Sequence, residues 1–393
     1  MERIDDRPEA RLALPSAEPI RLVDRSGGRV PGAPVPAPDP QTLARLLRAM
    51  VVGRRFDRQA GALARQGRLA VYPSSFGQEA CQVGGALALA PADWLFPTYR
   101  DCVSLVARGV DPVEVLTLLR GDWHSGYDPE RHRCATQCTP LATNASHAVG
   151  LTYAARRKGE DVAALVLMGD GATSEGDAHE AYNFAALWNA PVVFLIQNNQ
   201  WAISVPVRKQ SAAPTLAHKA IGYGMPGVRV DGNDAAAVHA VVDQALAEAR
   251  CGHGPTIIEA MTYRLDPHTN SDAPQRYRDD DESEPWRERD PIDRLTALLR
   301  AEGMVDDAAL AAMAEEGERL AAQVRDRLAE DEAPDPESLF AHVYATVPHA
   351  LARQRATLRD ELRGEPDEGP LGEPGAGLPA ELRGGAHDEL KEV

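Results

Sequence analysis

Basic residues are in deficit in this 393-residue chain: 42 Lys and Arg stand against 59 Asp and Glu, a formal charge of −17. That balance excludes a nucleic-acid surface, which needs a basic stripe. Long apolar runs are missing as well. No stretch approaches the roughly 20 apolar residues of a membrane span, so none is expected. The first residues include Glu2, Asp5 and Asp6 and no apolar core, which argues against a secretory signal or a transit peptide. Cysteine is sparse, with five at 81, 102, 134, 138 and 251. Cys134 and Cys138 lie near His132, but no further ligands occur at zinc-motif spacing. Reduced thiols in a cytoplasmic chain are the expectation. There is no internal repeat.

Packing residues are unevenly spread. Residues 1–40 hold eight prolines and no sustained apolar period, while residues 355–393 are charged and rich in Gly, Pro and Glu. Both read as disordered tails. The acidic runs Asp279-Asp280-Asp281-Glu282 and Glu330-Asp331-Glu332 read as solvated loops. Between the tails, apolar periodicity predicts helices over 41–66, 77–90, 111–120 and 144–158, with Asp111-Pro112 as a start signal and Gly159 as a stop. The pattern then changes. Residues 162–168 form a continuous apolar run, as expected of a strand buried on both faces of a parallel sheet. A Gly-rich turn, a helix over 175–189 and a second buried strand over 191–196 complete a βαβ unit. A strand at 228–230, a helix at 234–250 and a strand at 256–260 come next. The fold class is α/β, a mostly parallel sheet flanked by helices over 41–290, with a helical C-terminal region over 291–354 that packs on partners.

Two polar clusters sit where such sheets bind ligands, beyond the carboxyl ends of the strands. One is Gly169-Asp170-Gly171-Ala172. The other is Asn198-Asn199-Gln200-Trp201. Residues 172–197, 26 in all, separate Gly171 from Asn198, enough for one helix and one strand, so the clusters can meet. Their chemistry suits a magnesium ion bridging phosphates. Asp170 supplies one anionic oxygen and Asn199 a neutral one, and magnesium takes only one or two protein carboxylates besides phosphate oxygens and waters. Gly169 and Gly171 allow a tight turn and close backbone approach. The next helix points its amides at the anion.

This G-D-G–x26–N-N pattern resembles the thiamine diphosphate enzymes. The wider text G-D-G-A-T-S-E-G-D-A-H-E-A-Y-N-F is similar to the alpha subunit of the decarboxylating component of 2-oxo acid dehydrogenase complexes, over about residues 41–350. The resemblance implies a thiamine diphosphate-binding fold in which Asp170, Asn199 and the Trp201 carbonyl hold magnesium. It implies that Tyr99 and Arg100, in F-P-T-Y-R-D, meet the diphosphate, with Arg100 supplying a fork of donors. It implies that Thr139 and Leu141, in C-T-P-L-A-T-N, line the cofactor. That loop holds a structural potassium in branched-chain relatives; Cys138 through its carbonyl and Thr143 could serve it here, although Cys138 and Asn144 depart from the family text. It implies that His268, in Y-R-L-D-P-H-T-N, lies beside the diphosphate and reactive ring as a catalytic group. Thr269 stands where mitochondrial relatives carry a regulatory serine, and no such regulation is expected. Gln197 replaces an arginine found in some relatives, which shifts the phosphate load to Arg100, His268, backbone amides and the metal.

The cofactor's activating glutamate belongs to a separate beta subunit in this family, and the chain beyond residue 290 reads as helical. The expectation is therefore half an active site, completed in an α2β2 heterotetramer that serves a lipoyl-bearing acyltransferase core. The text at 72–79 and the R-G-D-W-H run at 120–124 resemble branched-chain members of the family, and that resemblance implies branched-chain 2-oxo acids such as 3-methyl-2-oxobutanoate as substrate. Pyruvate, or acetoin with an electron acceptor, is the same-class alternative. A non-catalytic cofactor-binding assembly subunit and a self-sufficient thiamine enzyme are the others; the second would need a glutamate domain for which little length remains.

Overall fold

The computed structural model describes residues 14–122, 124–330, 335–341 and 343–364. The expected tails therefore lie outside the described residues at 1–13 and 365–393, as does Trp123 of the R-G-D-W-H run. No helix among the described residues is long and apolar enough to cross a membrane.

Helix α1 (Pro40–Arg65) opens with Asp39 accepting from the Thr42 amide and with proline in its first turn. Its periodic face, Leu43, Leu46, Leu47 and Met50, is fully buried. Helix α2 (Glu79–Ala88) leads to β1 (Trp94–Phe96), and α3 (Cys102–Ala107), α4 (Pro112–Arg120) and the single turn α5 (Pro129–His132) come after it. Helix α6 (Thr143–Lys158) ends at Gly159 in the left-handed conformation. Next come β2 (Ala164–Gly169), α7 (Gly176–Leu187) and β3 (Val192–Asn198). A two-residue hairpin, β4 (Trp201–Ala202) and β5 (Val205–Pro206), precedes α8 (Lys219–Gly222), β6 (Gly227–Asp231), α9 (Ala235–Glu248) and β7 (Thr256–Met261). Helices α10 (Asp280–Arg287), α11 (Pro291–Ala301) and α12 (Asp307–Glu330) close this unit.

The strands form one parallel sheet in the order β1-β2-β3-β7-β6. Its faces are covered by two separate apolar clusters. Leu165, Leu167, Val193 and Leu195 enter one, while Val166, Met168, Phe194 and Ile196 enter the other. Burial on both sides explains why β2 and β3 read as unbroken apolar runs. Gly169 pairs in register with Gln197, so the two polar clusters leave the sheet side by side.

Three readings change. The proline-rich segment before α1 packs rather than trailing: Ile20 exchanges backbone hydrogen bonds with Arg229 and Asp231 at 2.9 and 3.0 Å and extends the β6 edge. Leu22, Val23 and Val35 are buried there, and the Leu22 and Val23 amides donate to Asp234 Oδ2. The proline count missed this because three or four anchoring side chains set no period. The acidic run at 279–282 is not a loop but the start of α10, where carboxylates favour a helix N-terminus. Finally, the helical region over 291–354 divides: one compact unit reaches Asp331 and a second begins at Glu332. Within the second, residues 349–364 form α13 (His349–Gly364), so the expected tail from 355 begins as helix, and Arg359 Nη2 donates to Glu337 at 2.7 Å.

Candidate active site

A cavity of about 430 Å³ opens at the carboxyl ends of β2 and β3, beyond the strand edge that open parallel sheets use for ligands. Tyr99, Arg100, Thr139, Leu141, Gly169, Gly171, Ala172, Asn199, Trp201 and His268 all line it. Segments separated by up to 170 residues are thus brought to one space. Asp170 lies between two of these lining residues and is 1% exposed.

The floor is the turn after β2. Gly171 is indispensable there: a Cβ would come within 2.6 Å of the Ala202 Cβ on the β4–β5 hairpin. Asp170 is held from behind, its carbonyl accepting from the Thr173 amide and hydroxyl at 3.1 and 2.7 Å. Its carboxylate has little support. Gln210 Nε2 donates to Oδ2 at a long 3.3 Å, and the Asn199 backbone amide lies close enough to stabilise the charge. Burial dominates and pushes the Asp170 carboxyl up to about 6. A buried carboxylate so weakly matched is suited to a cation. Asn199 is held with its amide nitrogen on Gln78 Oε1 at 2.8 Å, which turns its oxygen to the Trp201 amide at 3.2 Å and fixes it as the acceptor end.

Another part of the lining carries positive charge. Arg100 Nη1 donates to the Ser74 carbonyl at 2.9 Å, while Nη2 reaches the His268 carbonyl at 3.0 Å and His268 Nδ1 at 2.9 Å. A guanidinium only donates, so Nδ1 accepts and the imidazole proton sits on Nε2. Burial, then the charges of Arg100 and Arg264, push His268 down to about 4 and keep it neutral. Tyr99 meets the imidazole edge-on at 6.0 Å between centroids. The His268 amide donates to Asp272 Oδ2 at 2.7 Å, and Tyr277 OH donates to the same oxygen, which pins the loop.

Sequence reasoning passed over several contributors. Arg264 is fully buried, its Nη2 donating to the Ile203 carbonyl and Tyr277 OH, while Nε and Nη1 have no partner. Burial and the Arg100 charge lower it to about 10. It sits four residues before His268, inside the Y-R-L-D-P-H-T-N text, where nothing gave it a role of its own. Gln78, which lines the cavity and holds Asn199, and Gln210, which reaches Asp170, were equally silent, since their partners are distant in sequence. Gln197 does line the cavity, but its Nε2 donates sideways to the buried Asp101 Oδ1 at 2.7 Å. Its oxygen is buried without a partner. At this position the cavity wall therefore offers a neutral amide, where an arginine would have added a fixed charge.

Among the described residues neither Arg100 nor Arg264 forms a salt bridge with a carboxylate, and Asp170 has only the charge of Arg264 at a distance to balance it. The donor set fits a divalent ion carrying a diphosphate: one carboxylate, one oriented amide oxygen and a backbone carbonyl, with guanidinium donors nearby. Among the described residues no three His, Cys, Asp or Glu side chains gather as a metal cluster. A magnesium ion bridging phosphates is held by as few as one protein carboxylate.

A family model described as dehydrogenase E1 component matches residues 47–337. The chain is 45% identical over 357 residues to the 3-methyl-2-oxobutanoate dehydrogenase subunit alpha of Mycobacterium tuberculosis, an alignment covering 91% of this chain and 97% of that one. It is 36% identical over 341 residues to the pyruvate dehydrogenase E1 component subunit alpha of Staphylococcus aureus, covering 86% and 91% respectively.

Proposed function

The chain belongs to the dehydrogenase E1 component family, and from that premise we propose that it is the alpha subunit of a branched-chain 2-oxo acid dehydrogenase acting in a bacterial cytoplasm. The reaction is the oxidative decarboxylation of a 2-oxo acid with reductive acylation of a lipoyl group on an acyltransferase core. The observation that carries the reading is one cavity lined by Arg100, by His268 and by the residues on either side of the buried Asp170 carboxylate, with the buried Arg264, two of its nitrogens unpartnered, close enough to act on Asp170 and His268. The branched-chain preference rests on the 45% relative, set against 36% for a relative named for pyruvate.

In this reading Asp170, Asn199 Oδ1 and the Trp201 carbonyl hold magnesium, and Arg100 donates to the diphosphate. Arg264 adds positive charge from its buried place near Arg100. Thiamine diphosphate supplies the carbon nucleophile and electron sink for decarboxylation. The chain's own part is anchoring, orientation and proton handling. Because Arg100 occupies Nδ1 of His268, the proton at Nε2 is the one available to a developing negative charge. Neutral His268 donates it as a hydrogen bond, a role that the neighbouring guanidinium strengthens. Leu141, 37% exposed, and Ile203 give the cavity an apolar margin suited to a branched side chain. The activating carboxyl comes from a beta subunit, giving an α2β2 assembly. One metal belongs to this reading, at Asp170.

The test is a reconstitution with the beta subunit, measuring kcat/KM with a dye acceptor. We expect 3-methyl-2-oxobutanoate to exceed pyruvate by at least about tenfold, the scale of discrimination that one or two methyl groups give in an apolar pocket. Equal values would remove the branched-chain assignment. No turnover on any 2-oxo acid, with cofactor bound, would favour an assembly subunit.

A further inference from the structure

The loop Cys138–Asn144 brings Thr139 and Leu141 to the cofactor cavity, and something must hold its shape. Ala142 adopts φ +64°, a left-handed conformation that is unfavourable for a non-glycine residue and persists only where the surroundings impose it. Family resemblance raises a potassium ion as the clamp. Such an ion needs several oxygens turned toward it together, in place of its hydration shell.

Three oxygens of the loop are already engaged: the carbonyls of Cys138 and Pro140 and the Thr143 hydroxyl. The Cys138 carbonyl accepts from the Tyr99 amide at 3.2 Å, within a bridge that pairs Thr98 with Cys138. The Pro140 carbonyl accepts from the Cys138 thiol at 3.0 Å. The Thr143 hydroxyl and the Asn144 backbone amide both lie against the Cys138 sulfur. Asn144, 3% exposed, turns its side-chain nitrogen inward to the carbonyls of Leu167, Phe96 and Pro97 at 3.0, 3.2 and 3.3 Å. That amide links the loop to β1 and β2 as a donor, and a donor nitrogen ligates no cation. Sulfur, a soft atom, is a poor ligand for a hard monovalent ion.

We infer that this chain closes its cofactor-facing loop with the Cys138 thiol and the Asn144 amide, bonded to Pro140, Thr143, Phe96, Pro97 and Leu167, in place of a monovalent cation. Cys138 and Asn144 are then positioning residues for Thr139 and Leu141. Burial pushes the Cys138 thiol up, so it stays protonated and remains a donor at neutral pH. The inference rests on the cofactor reading of the cavity.

The test uses the complex reconstituted with its beta subunit, dialysed free of potassium and compared in potassium chloride and choline chloride at equal ionic strength. Thermal midpoint and thiamine diphosphate Kd are read on each sample. Wild type is expected to differ by less than about twofold in Kd between the salts, the range of ordinary salt effects. Cys138→Ala should weaken binding in both salts alike, and the double variant Cys138→Ser, Asn144→Gln should acquire a potassium response of about fivefold or more, as restored oxygens give the ion a site. A wild-type Kd that tightens about fivefold in potassium over choline overturns the inference. So does a Cys138→Ala complex that binds as tightly as wild type. A wild type that binds no cofactor in either salt sinks the cofactor reading alone. The loop is then judged by the midpoint, where a rise of more than about 2 °C in potassium counts against it.

Discussion

In the proposed reading two side chains, Asp170 and His268, carry the chemistry of this cavity, and both are held away from their ordinary protonation behaviour. The Asp170 carboxyl is raised from 3.8 to about 6 by burial, yet it must be ionised to hold a cation. Below pH 6, metal-dependent cofactor binding should therefore weaken about tenfold per pH unit and level off above it. Calorimetric titrations between pH 5 and 8 check this, and a flat profile would exclude Asp170 as the anionic ligand. The stability sign runs the other way. A carboxyl raised by folding stabilises the empty chain fully below its unfolded value, near 4, and that contribution fades as pH rises through 6. Loading metal and cofactor should reverse the trend. His268 offers the complementary readout: it is held near 4 by burial and by Arg100 and Arg264. A bound diphosphate neutralises those charges, so its pKa should climb toward about 6.5, measurable by imidazole NMR resonances. An unchanged His268 would mean that the anion binds elsewhere.

The elements were legible where a pattern is long and missing where it is short. Runs of five to seven apolar residues announced β2 and β3, apolar periodicity announced α1, and cap signals announced the start of α4 and the end of α6, because burial and capping act locally along the chain. Strand β1, with three residues, and the two-residue strands β4 and β5 carry too little sequence for any period. That Gly169, Gly171 and Asn199 meet in one cavity was readable because the motif encodes a turn and a polar cluster on neighbouring strands. Arg264, Gln78 and Gln210 were not, because their roles arise from contacts between residues distant in sequence or from the absence of a partner. The hairpin β4–β5 has a mechanical consequence. It presses Ala202 onto Gly171, with no space for a methyl group. Gly171→Ala should cost about 1–3 kcal/mol by overpacking and loosen the hairpin that carries Trp201. A thermal melt and a cofactor titration check this together. A variant with wild-type stability and affinity would show that the hairpin does not clamp the turn.

At the scale of the whole molecule, one parallel sheet with two apolar faces gathers residues 99–100, 139–141, 169–172, 199–201 and 268 at a single edge. In the proposed reading the sheet supplies the phosphate end of a cofactor site and, among the described residues, no second α/β half, so catalysis should need a partner. The isolated chain is expected to decarboxylate 2-oxo acids at less than about 1% of the reconstituted rate, the loss typical when a general acid–base group is missing. Full activity from the chain alone would contradict the divided site. The central claim is narrower: a diphosphate is held through a divalent ion at Asp170. Its most direct measurement is the binding of thiamine diphosphate to the reconstituted complex, with magnesium and with chelator, for wild type and Asp170→Asn. The account predicts that magnesium tightens wild-type binding at least about a hundredfold, as losing a charged ligand pair should cost nearly 3 kcal/mol. It also predicts that Asp170→Asn abolishes the magnesium effect while leaving the melting temperature of the empty chain intact or higher. Magnesium-dependent binding of equal strength in the Asp170→Asn complex would contradict it.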